Sequence, residues 1–286
     1  MLRDKGLVDQ VAGINRMTPA QLTQVLTQDE SAHLDTSGRM FYVEPAYDPA
    51  SAKKATKKPA ATPTPTATRP QEKKLNPGPA PVITPKPLVV QPGQDVASAR
   101  RPAGMPAAGT SSAPAVAPGP FPYAQTFTLH SRPNSTKKIY LKFDGYTTTA
   151  SSAWGAFVGT AFDTDGNPAS FSTVEQDMIQ GIWQRVFEDF APFDIDVTTQ
   201  DPGLAAIDRT DAADQNYGTR IVFTDSMSTL CPSGCAGVSY LGSIGEVGAA
   251  HEAHQPAWVF VNRYRTDAKT LGETASHEAG HTFGLH

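Results

Sequence analysis

HEAGHTFGLH, residues 277–286, is the stretch whose reading decides the fold. On a helix, His277 and His281 lie one turn apart on the same face, so both ring nitrogens can reach one zinc ion. Glu278 stands beside them, where a carboxylate could take a proton from water that zinc brings to a pKa near ~7 and return it to a leaving amine. Chance alone puts an HExxH string in roughly one per cent of chains this long. Ala275, Ala279 and Gly280 give the motif a small-residue helical context, and Gly284 follows it as a helix stop.

Working back along the chain, the texture from Phe121 onward is that of one folded domain. KKIYLKFDGY (137–146) alternates as a strand, with Ile139, Leu141 and Phe143 on one face. Ser172-Thr173-Val174-Glu175 reads as a capping box. The helix it opens carries Val174, Met178, Ile182 and Val186 beside Ile179, Trp183, Phe187 and Phe190, and ends before Pro192. Trp183, Phe187 and Phe190 are core under any reading. DIDVTT (194–199), TRIVFTD (219–225), GVSYLGS (237–243) and AWVFVNRY (257–264) are four further strands, and a last helix starts near Asp267 or Ala268. The order β-α-β-β-β-β-α predicts an α/β domain with a parallel or mixed sheet of about five strands.

The rest of the chain divides in two. Residues 1–48 read as a small ordered piece, too short to bury much core alone. It holds a helix capped by Thr18-Pro19-Ala20-Gln21, a turn at Asp35–Gly38 and a short strand, MFYVEP. Between Pro49 and Pro120 lie 16 of the 25 prolines and ten Lys or Arg against two acids, in a chain whose net charge is −4. This strip, 49–120, reads as a disordered basic linker joined to acidic globular parts. It lacks the interleaved aromatics that stacking on bases requires, which argues against nucleic acid as a partner. No apolar run is long enough to span a membrane. The N-terminus has no apolar signal-peptide core as written, as in an intracellular protein or an exported one whose front is missing.

HEAGHTFGLH resembles the metzincin signature at every fixed position it reaches, and CAGVSYLGSIG followed by AWVFVN and the zinc helix resembles the strand order of reprolysin- or adamalysin-like peptidases. The similarity covers about residues 121–286. It implies a metzincin-like N-terminal subdomain with an active-site helix and a backing helix, the C-terminal subdomain being missing. It further implies an exported, secreted zinc endopeptidase acting on proteins or peptides. One zinc would sit on His277 and His281, with Glu278 as general base. Gly237, Val238, Ser239, Tyr240 and Leu241 would form an edge strand that pairs with substrate backbone; a buried strand without substrate contact is the alternative. Metzincins place the third ligand ten residues after the first, here 287. A chain ending at His286 is therefore expected to hold zinc with two histidines and to hydrolyse no peptide, unless His286, His251 or His254 completes the site. Residues 1–48 would be a pro-segment or accessory piece, and because no cysteine precedes the domain, a thiol-based latency switch is excluded.

Cys231 and Cys235 flank Pro232-Ser233-Gly234, a spacing that suits a tight disulfide better than zinc. Asp163, Asp165 and Asn167 match a calcium loop only in part: the glycine is fourth and no glutamate stands twelfth, so a plain turn is preferred, with calcium as the alternative. His251-Glu252-Ala253-His254 is one residue short of HExxH and reads as a solvated loop. Two other functions fit the same sequence: a non-catalytic surface or binding module on the peptidase fold, and a zinc peptidase with a glutamate third ligand. Trypsin should cut within Lys53–Lys58 or at Lys73–Lys74 before any site in 137–264; resistance of those bonds in a time course would show that the strip is packed.

Overall fold

The computed structural model describes residues 5–45, 119–226, 230–231, 234–261 and 267–286. The linker expected over 49–120 falls outside them except for Gly119 and Pro120, as does the Pro49–Ser111 unit. Residues 5–45 belong to the same compact unit as the domain that begins at Gly119.

The protein is a mixed α/β structure built on a seven-stranded sheet. Five strands come from the expected domain: β3 (Lys137–Lys142), β6 (Asp196–Thr198), β7 (Tyr217–Thr224), β8 (Cys235–Tyr240) and β9 (Ala257–Phe260). The other two, β1 (Ala32–Leu34) and β2 (Met40–Pro45), come from the N-terminal piece, which is why a count of about five understates the sheet. The spatial order is β1-β2-β8-β9-β7-β3-β6. Strand β3 runs parallel to β6 and β7, and β7 parallel to β9, whereas the pairs β9–β8, β8–β2 and β2–β1 are antiparallel. A separate hairpin of β4 (Tyr146–Thr148) and β5 (Phe157–Gly159), unforeseen in the sequence, covers part of one face.

The two faces follow from side-chain alternation. In β7, Ile221 and Phe223 point to the helices while Val222 points to the hairpin; in β9, Ala257 and Val259 face the helices while Trp258 and Phe260 face the hairpin. Cys231 and Cys235 are bonded to each other within that second cluster.

On the helical face lie α3 (Thr173–Phe190) and α5 (Ala268–Thr282). The short helix α4 (Ala249–Ala253) lies in the connection from β8 to β9. The Ser172–Glu175 capping box is formed reciprocally, and α3 buries Met178, Ile179, Ile182, Trp183, Val186 and Phe190. Val174, expected on that stripe, is exposed instead, because it sits in the first turn beyond the reach of the sheet. Asp267 caps α5, accepting from the backbone N–H of Lys269 and Thr270. The two helices meet through small residues: a Cβ on Gly272 would lie 2.9 Å from Arg185 Cβ, and one on Gly181 would lie 3.3 Å from Ala268 Cβ.

The loop expected at His251–His254 is instead largely α4. His251 is fully buried there, and burial lowers its pKa. The expectation failed because the polar string HEAH hides a one-turn helix that turns its first histidine inward.

In the N-terminal piece, α1 (Lys5–Ile14) and α2 (Pro19–Gln28) pack with Met40 and Tyr42 of β2 around Leu22 and Val11. Leu241 of the domain joins this cluster. Filling the α3–α5 contact should cost stability: Gly272→Val is expected to lower the unfolding free energy by about 1–3 kcal/mol, as overpacking does. Urea titration of the variant against the parent measures the loss, and an unchanged midpoint would show that the helices have room to part.

Candidate metal centre

Helix α5 ends in a Schellman turn. Gly284 takes φ +90°, Gly284 N–H donates to the His281 carbonyl at 2.9 Å and Leu285 N–H to the Gly280 carbonyl at 3.0 Å. The same turn folds the Leu285 carbonyl under His281, 2.8 Å from Nδ1. A carbonyl only accepts, so Nδ1 carries the proton and, in the neutral ring, Nε2 is left with a free lone pair. Tyr42 stacks on the other side of that ring, centroids 3.9 Å apart and planes 8° apart. Packing and hydrogen bonding together thus fix the His281 ring.

His277, one turn earlier, sets its Nε2 2.9 Å from His281 Nε2. A third donor arrives from far away in sequence. Glu44 on β2 places Oε1 2.9 Å from His277 Nε2 and 3.6 Å from His281 Nε2. Hydrogen bonding to His277, then to His281, holds the Glu44 carboxyl well below the usual carboxylate range against the opposing effect of burial. The Glu44 carboxylate in turn raises the pKa of His277. Three donor atoms converge here, and a proton or a metal ion shared among them relieves the repulsion of their lone pairs.

Whether a metal fits can be judged from the same triangle. A tetrahedral ion with bonds of about 2.0–2.1 Å holds its donors about 3.3 Å apart. The edges here are 2.9, 2.9 and 3.6 Å. Two imidazoles and a carboxylate suit zinc among other divalent ions, so the residues fit a metal without naming which.

Glu278, next to His277 in sequence, packs against β8. It is fully buried, and its Oε2 accepts from Ser239 Oγ at 2.5 Å. Its Oε1 has no hydrogen-bond partner among the described residues. Burial first, and the Glu44 charge to a lesser degree, raise its pKa well above the ordinary value, opposed by the Ser239 bond. Gly237 makes room for it: a Cβ there would sit 2.2 Å from Oε1. Strand β8 therefore touches Glu278 at alternate positions, Gly237 and Ser239, while Val238 joins the hairpin-side cluster and Tyr240 stacks near Phe41, Trp154 and His254.

The segment Gly237–Leu241 is thus beside the site, and every residue in it is buried. Its outer edge is already paired, Phe41 opposite Tyr240, Val43 opposite Val238 and Glu44 opposite Gly237. A cavity of about 490 Å³ opens where β2 ends, lined in part by Glu44, Pro45, Ala236, Thr274 and His277. His251, His254 and His286 are absent from the metal-competent groups among the described residues. Asp163 and Asp165 form a second such group with the buried Glu175, but Asp163 accepts from the N–H of Asp165, Gly166 and Asn167 in a turn, and Glu175 is engaged by Thr164 and Ser172.

Sequence reasoning missed Glu44, although one signal for it was present. Alternation in MFYVEP puts Glu44 on the same face as Met40 and Tyr42, both fully buried, and an acid in such a row needs a partner. Comparison with family models, with curated proteins and with solved structures finds no match.

Ser239→Ala should leave both Glu278 oxygens without a donor and so cost about 1–3 kcal/mol. Chemical denaturation of the metal-free protein reads this; a variant as stable as the parent would mean that Glu278 finds another partner.

Proposed function

We propose that the protein is a zinc-dependent endopeptidase of metzincin type, similar to the reprolysins and adamalysins, and that it acts outside the cell. The observation that carries this reading is the convergence of His277 and His281 Nε2 at 2.9 Å on one helix face, with a buried carboxyl, Glu278, between them in sequence. The Cys231–Cys235 bond favours an oxidising compartment.

Zinc would be held by His277, His281 and a third donor, and it would supply a Lewis acid able to bring water to a pKa near ~7 and to polarise a peptide carbonyl. The chain's own residues do the remainder. His281 is kept in one tautomer by the Leu285 carbonyl and in one orientation by Tyr42, so its Nε2 is presented without rearrangement. Glu278 is the general base. Its burial raises its basicity toward what a proton acceptor working near neutral pH requires, and a carboxyl that has taken a proton from water can pass it to the departing amine. Ser239 orients that carboxyl from β8. A peptide would lie antiparallel along the outer edge of β8, its backbone bonded as a further strand.

The test has two parts. Zinc titration followed by metal analysis should give one ion per chain, lost in His277→Ala and in His281→Ala. On casein, the full-length protein carrying Glu278→Gln should keep its zinc and lose at least a factor of about 10²–10⁴ in rate. Activity within tenfold of the parent would reject Glu278 as the base, and absence of zinc from the parent would reject the reading as a whole.

A further inference from the structure

Strand order reverses at β3. The chain lays β6 along one edge of it and β7 along the other, both parallel to it. In open sheets the crevice beyond the carboxyl ends of the strands, where the order reverses, is the place in which small ligands settle. A cavity of about 300 Å³ opens there. It is lined by residues that follow the end of β3, Phe143 and Asp144, and the end of β6, Thr199 and Asp201, together with Phe127 and Phe171. Its volume lies at the low end of ligand sites, which run from roughly 300 to 1,000 Å³.

The walls are aromatic. Phe127 and Phe171 stand ring against ring, centroids 4.8 Å apart, and Phe127 is 36 % exposed. The backbone on both sides of Phe127 is tied to Thr199, whose Oγ1 donates to the Thr126 carbonyl at 2.6 Å and accepts from the Leu129 N–H at 3.0 Å. Phe143 is buried and stacks on Phe223, centroids 4.4 Å apart, and Tyr140, also buried, completes the lining.

The rim is charged. Asp144 pairs with Lys142 at 2.6 Å, and that ammonium lies 5.8 Å from the centroid of the Tyr140 ring. Asp201, on the surface, accepts from the Gly203 N–H at 2.8 Å. Both carboxylates act on Tyr140: after burial, Asp201 and then Asp144 raise its pKa, opposed by Arg220. Two carboxylates against one ammonium leave this rim net negative, beside rings whose faces are themselves negative.

We propose that this cavity binds a small organic cation with an alkylated ammonium group, its methyl groups against the rings of Phe127, Phe171 and Tyr140 and its charge beside Asp201. Such a group spreads its charge over carbon-bound hydrogens, so it leaves water at less cost than a bare ammonium and gains from ring faces what it loses in hydration. Nothing in this depends on the zinc reading, and the site needs no metal.

Choline and its uncharged isostere 3,3-dimethyl-1-butanol test this on the intact 286-residue chain by proton NMR. The choline methyl resonance should move upfield and saturate, because the methyl groups sit over ring faces. The uncharged compound should bind at least ~10-fold more weakly, about what one desolvated cation–π contact supplies. Asp201→Asn keeps an oxygen for the Gly203 N–H but removes the charge, and should weaken choline binding about threefold, the size of an exposed charge pair. Phe127→Leu keeps the site apolar without the ring and should also cost about threefold. Both side chains are exposed, so both variants should melt with the parent. No saturable shift in the parent, equal binding of the two compounds, or parental affinity in either variant overturns the proposal.

Discussion

The antiparallel ladder between β2 and β8 is the interaction on which the rest of the structure depends. Without it, β8 would be an edge strand with a row of unpaired N–H and C=O groups facing water. Five of its residues would be uncovered on that side, next to the helix that carries the histidines. With it, the sheet gains two strands, Tyr42 reaches the ring of His281, and Glu44 reaches the point where two imidazoles converge. One set of backbone hydrogen bonds therefore sets both the extent of the sheet and the chemistry of the centre.

Much of the architecture was legible because it is local. The Ser172 and Thr18 capping boxes, the strands at 137–142 and 40–45, and the start of α5 at Ala268 are written in short spacings. So was the pairing of His277 with His281, since one helical turn separates them. What could not be read was anything set by partners distant in the chain. MFYVEP is plainly a strand, but nothing within it names β8 as its neighbour. His251 looked like a solvated residue in a polar string, and only the fold around Arg209 and α4 shows that it is buried.

The charges at the centre are balanced in layers. On the outer layer Glu44 faces the two histidines and stays ionised; on the inner layer Glu278, cut off from water and close to that charge, is pushed toward its neutral form. Two carboxyl groups within one small region thus have opposite tendencies, Glu44 toward the charged form and Glu278 toward the neutral one. The separation rests on small residues: Gly237 admits the Glu278 side chain, and Gly284 permits the turn that orients His281.

The ladder also has a consequence for how the molecule is made. Phe41 lies opposite Tyr240, roughly 200 residues further along the chain. Contacts that close so long a loop form late, whereas the parallel core of β3, β7 and β9 with α3 draws on nearer neighbours. The N-terminal piece leaves the ribosome before the strands of the domain, builds its small cluster around Leu22, and must then wait with one edge of the Met40–Pro45 strand unpaired until Cys235–Tyr240 has been synthesised. During that interval a strand rich in aromatic and aliphatic side chains is open to the wrong partner, and crowding of nascent chains is the condition under which this protein is most exposed to misassembly.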